Sequence, residues 1–109
     1  MSYDIRLKAK VENIDKYVTV ADGGNTTWNV KELIKQSSGW EIKNEENNGK
    51  AEDLIPLLEN GIKELQTYPE KYRIYESKNG WGTVEGTLKF FLQLELACKE
   101  HPWTYVFVH

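Results

Sequence analysis

Apolar and polar residues alternate without a break from Tyr3 to Glu12. Tyr3, Ile5, Leu7, Ala9 and Val11 fall on one side, and Asp4, Arg6, Lys8, Lys10 and Glu12 on the other. Side chains of an extended chain point to opposite faces at successive residues, so this period of two is a strand with one face buried and one wet. Such a strand needs a partner. Asn13-Ile14-Asp15-Lys16 can turn the chain, and Tyr17-Val18-Thr19-Val20-Ala21 returns as the second strand of a hairpin. Asp22-Gly23-Gly24-Asn25 is expected to break it.

The pattern then changes to helical. Asn29 is a suitable N-cap with Glu32 three residues on, Trp28 and Leu33 are placed for a hydrophobic staple, and Gly39 is a natural stop. Trp40 and Ile42 follow as isolated anchors, and 43–50 reads as a polar loop. Leu54, Leu58, Ile62 and Leu65 define a second helix, with Pro56 near its first turn and Gly61 on the same face allowing close approach. Tyr68-Pro69 ends it, and Pro69-Glu70-Lys71-Tyr72 makes one further turn. Val84, Leu88, Phe91, Leu92 and Cys98 define a third helix, ended by His101-Pro102. Trp103 to Val108 reads as a strand, buried on both faces. The expected fold is one α+β domain over 1–109: a three-stranded, largely antiparallel sheet, made of the N-terminal hairpin and the C-terminal strand, with three helices on one face.

Two helix entrances share one pattern, Trp28-Asn29-x-x-Glu32 and Trp81-Gly82-x-x-Glu85. A cap, a reciprocal glutamate and an indole fixing the entry angle explain both structurally. At the second, Gly86 stands where a staple partner belongs. Trp81 therefore lies on that glycine or faces something outside the chain. In the functional reading, the glycines of 23–27 and 78–83 precede helix N-termini and could hold an anion there. Neither stretch matches a phosphate-loop or dinucleotide pattern.

Glu95 falls near the middle of the third helix's apolar face. A carboxylate there must be bonded, paired or protonated, so it is either a structural partner or a candidate acid or base. Cys98 reads as a small core residue. It fits a reducing compartment, and with no apolar leader at the N-terminus the expected location is cytoplasmic. His101 and His109 are the only histidines, and no metal-binding spacing occurs. Neither a metal nor a cofactor is expected. The net charge of −3, without a basic run, gives no nucleic-acid footprint, and no apolar window is long enough to span a membrane.

Thr27-Trp28-Asn29-Val30, Asn79-Gly80-Trp81-Gly82-Thr83-Val84-Glu85-Gly86, Ala97-Cys98-Lys99-Glu100-His101-Pro102 and the opening Tyr3-Asp4-Ile5-Arg6-Leu7 resemble a family of small proteins from phage and other bacterial genomes. That family has no assigned activity, so the resemblance implies a stand-alone domain of phage or mobile-element origin and carries over no site residue. The residues point to a binding protein for a small ligand or a host protein, with counter-defence as one setting. Trp81, Asn79, Trp40 and Tyr72 would supply contact surface, and Lys78 would stand near an anionic group. A small enzyme using Glu95, and a self-assembling structural protein, are the alternatives. A monomer or small homo-oligomer fits the first reading.

Overall fold

The computed structural model describes residues 1–109. β1 (Ser2–Val11) and β2 (Lys16–Thr27) form the expected antiparallel hairpin. A 3-10 turn (Trp28–Val30) leads into α1 (Lys31–Ser38), followed by β3 (Asn47–Lys50) and α2 (Ala51–Thr67). The short α3 (Pro69–Tyr72) and a second 3-10 turn (Arg73–Tyr75) precede α4 (Val84–Glu100) and β4 (Tyr105–Val108). The fold is α+β, with an antiparallel sheet in the order β2-β1-β4-β3. It has four strands and four helices, against the expected three and three.

The fourth strand comes from the segment expected to be a polar loop. Asn48 closes that segment on itself: its Oδ1 accepts from the Lys43 N–H at 2.8 Å, and its Nδ2 donates to the carbonyls of Lys43 and Glu46, each at 2.9 Å. The closed turn presents Asn47 and Lys50 to β4, and the Val108 N–H reaches the Glu46 carbonyl. Backbone donors and acceptors drive this pairing, so no apolar pattern announces it. The additional helix is the Pro69–Tyr72 turn, set off from α2 by Tyr68.

β2 also runs past Asp22-Gly23-Gly24. Two register shifts bend it, one leaving Gly23 as a bulge and the other Val20, and the Gly24 N–H bonds the Asp22 carboxylate at 2.8 Å. β4 lies inside the sheet, as expected of a central strand. Its faces differ, however: Val106 and Val108 are buried, while Tyr105 and Phe107 are half-buried on the opposite face.

The helices cover the face bearing Tyr3, Ile5, Leu7, Val106 and Val108. α2 buries Leu54, Leu58, Ile62 and Leu65 as its spacing predicts. Gly61 lets α4 come close, since a Cβ there would stand 2.6 Å from the Phe91 ring. α4 buries Val84, Thr87, Phe90, Phe91, Leu94 and Cys98, while Leu92 is exposed. Apolar residues lie almost all round this helix, so periodicity alone misplaces its buried face by part of a turn. Burying each large side chain stabilises the fold by about 1.5–3 kcal/mol before entropic costs.

Candidate functional site

The two helix entrances meet. Gly82 packs so tightly on the first entrance that a Cβ would lie 2.8 Å from Val30 Cγ1 and 3.4 Å from Asn29 Cβ. Asn29 Nδ2 donates to the Trp81 carbonyl at 3.4 Å. Asn29 is free to do this because it is not the helix cap: Thr27 Oγ1 accepts the Asn29 N–H, and a 3-10 turn delays α1 to Lys31. Trp28 anchors that turn. Its Nε1 donates to the Ser2 carbonyl at 3.0 Å, its N–H reaches the Met1 carbonyl, and its ring lies against Tyr3 at 5.9 Å.

The second entrance is braced from within. Asn79 Oδ1 accepts the Trp81 N–H at 2.9 Å, and the Ser77 N–H donates to the Gly82 carbonyl. Thr83, one residue later than expected, caps α4 by accepting the Gly86 N–H at 3.0 Å. Glu76 accepts the Val84 N–H at 2.8 Å and also pairs with Arg73. Arg73 Nη1 takes Glu85 as well, at 2.7 Å, so Glu85 makes no capping box. The chain's own carboxylate and hydroxyl thus already occupy the start of α4, which removes the physical basis for an anion site there. The other expected anion stretch, 23–27, is the paired end of β2, and a 3-10 turn capped by Thr27 separates it from α1.

The backbone of Trp81 is therefore held while the residue is 70% exposed. It does not lie on Gly86, where only Thr83 Oγ1 stands within 4 Å of an added Cβ. Instead it forms one wall of a cleft of about 510 Å³, shared with Met1, Ser2, Asn25, Thr26, Thr27 and Asn29. These side chains are neutral. Asn25, Thr26 and the Asn29 Oδ1 carry no intramolecular side-chain bond, so they can meet a ligand.

Of the residues expected in the site, Trp81 lines the cleft, Asn79 braces it, and Lys78 is exposed but does not line it. Trp40 and Tyr72 are both core residues. Trp40 stacks on Phe90 at 6.4 Å and, 4% exposed, borders two clefts that do not include Trp81. The Tyr72 hydroxyl donates to Glu64 at 2.6 Å; burial, then that bond, pushes its pKa up to about 12. Sequence reasoning reached Asn25 and Thr26 only within the 23–27 anion stretch, for a different ligand chemistry, and missed Asn29 as a site residue. Runs of small polar residues normally signal caps and turns, which hides a binding role.

Glu95 lines no cleft; it is partly buried and pairs with Lys99 at 3.7 Å. Cys98 is fully buried, and burial, with Glu95 nearby, pushes its thiol up to about 12, so it is not a nucleophile at neutral pH. No three His, Cys, Asp or Glu side chains cluster to hold a metal, and no helix is long and apolar enough to cross a membrane. Compared with family models, curated proteins and solved structures, the chain matches none.

Proposed function

We propose that this chain is a binding protein whose ligand is a small, uncharged, hydroxyl-bearing ring, such as a sugar or a nucleoside. The observation that carries this reading is the exposed Trp81 in a cleft where the Asn25 amide, the Asn29 Oδ1 and the Thr26 hydroxyl make no internal bond. An exposed indole has a large apolar face that loses its water when a ring stacks on it, and neutral donors and acceptors fix the ring's orientation without requiring charge. The enzyme reading is weaker because Glu95, its acid or base, opens onto no cleft. A phage or mobile-element setting, with a host-directed target, belongs to this proposal through the family resemblance.

A thermal-shift screen of nucleosides, nucleotides and oligosaccharides tests it. A ligand at 100 times its Kd adds about 2.7 kcal/mol to stability. Trp81→Ala is expected to abolish the shift and leave the unliganded Tm within about 2 °C. A variant that unfolds, or that keeps the full shift, overturns the assignment. If no small molecule shifts Tm while Trp81→Ala weakens capture of a host protein, Trp81 is an interface anchor instead.

A further inference from the structure

The sheet face turned away from the helices carries two adjacent columns of side chains. On β4, Tyr105 and Phe107 point outward, and His109 continues the column with its ring nearly parallel to Phe107. The His109 backbone is paired with Asp4 in both directions, so the column is held to its end. On the neighbouring β1, Arg6, Lys8 and Lys10 occupy the outward positions, Arg6 opposite Phe107 and Lys8 opposite Tyr105. Tyr17 reaches across from β2 to lie 4.9 Å from Phe107 and 5.6 Å from Tyr105. Lys8 Nζ sits 4.7 Å above the Phe107 ring.

An aromatic column beside a cationic column is the chemistry of a single-strand platform: bases stack on rings of any sequence, and phosphates follow the positive charges. Outward positions on a strand repeat at about 6.8 Å, a step that successive phosphates of an extended strand can follow. Asp22 stands opposite Arg6 and Asp4 at the far end, so the face is cationic only over its middle. The His109 imidazole senses that field. Its pKa is lowered by burial first and then by Lys8 and Arg6, which outweigh Asp4 and Glu45 although the chain as a whole is acidic.

We propose that this open face binds single-stranded nucleic acid, with bases stacked on Tyr105, Phe107 and Tyr17 and the backbone tracked by Arg6, Lys8 and Lys10. The site is separate from the Trp81 cleft, and its charge is invisible in a composition that sums to −3. The alternation that makes β1 a strand also gathers its three cations on one face.

Fluorescence anisotropy with labelled 12-mers of oligo-dT and oligo-rU tests this, a duplex of equal length serving as control. Single strands are expected to bind more tightly than the duplex, with log affinity falling against log salt at a slope of about −2 for three phosphate contacts. Phe107→Ala should weaken binding at least about fivefold, the loss of one stacked base. Lys10→Glu, an exposed change that leaves Tm unaltered, should weaken it further and flatten the salt slope by about one. Trp81→Ala should bind as the wild type does, which keeps this result distinct from the cleft proposal. No binding at about 50 mM salt, where phosphate contacts are strong, overturns the proposal. So does wild-type affinity in Lys10→Glu and Arg6→Glu, whether or not Phe107→Ala folds. Self-association that buries the face and is lost in Phe107→Ala also overturns it.

Discussion

The two helix entrances that meet at the cleft hold their tryptophans in opposite ways. At the first, Trp28 is tied through its ring: the indole N–H bonds Ser2 and the ring rests on Tyr3. At the second, Trp81 is tied through its backbone, by Asn79 on one side and Asn29 on the other, and its ring is left out. The difference comes from what lies beneath each ring. Trp28 has Tyr3 to cover, whereas Trp81 finds no side chain to rest on, because Gly86 offers none and the space at Gly82 is already filled by Val30. One tryptophan, 38% exposed, is tied down at the edge of the core, and the other, 70% exposed, is left free. An exposed indole on a braced backbone is preorganised for contact, because little conformational freedom remains to be lost on binding.

Four substitutions break or sharpen this contrast, in descending order of expected effect on stability. Gly82→Val should cost about 3 kcal/mol, because its Cβ meets the buried Val30 and the two entrances must part. Urea unfolding measures this, and a loss below about 1 kcal/mol would mean that the entrances are not rigidly joined. Trp28→Ala should cost about 2 kcal/mol through the lost Ser2 bond and Tyr3 contact. Thr83→Ala removes the α4 cap and should cost about 1 kcal/mol, seen as a Tm lowered by several degrees. Trp81→Ala should cost under about 0.5 kcal/mol, as an exposed side chain does. If Trp81→Ala proves as damaging as Trp28→Ala, the contrast collapses and both tryptophans are structural.

Much of the fold was legible. The alternation of Tyr3–Glu12 marked β1, and the Leu54, Leu58, Ile62 and Leu65 spacing marked the buried face of α2. Gly61 on that face predicts a close approach, and Phe91 does approach it. Residues whose roles depend on partners distant in sequence were harder to place. Asn29 looked like a cap because its sequence context fits one, but its side chain turns to a carbonyl 52 residues away. Trp40 and Tyr72 were grouped with Trp81 because all three are large aromatics, and only packing separates core rings from free ones. The cleft was half legible: Trp81 and its Asn79-Gly80 turn stood out, while the amides and hydroxyl opposite it did not.

By itself, the sequence determined where the chain is extended, where it is helical and which side of most elements is apolar. Each of these follows from side-chain spacing along one local backbone geometry. Tertiary structure alone decided that Asn47–Lys50 pairs as a strand, that two helix entrances share a wall, and that Lys8 lies over Phe107. Those outcomes depend on how preformed elements dock, and docking brings together residues that no local period relates.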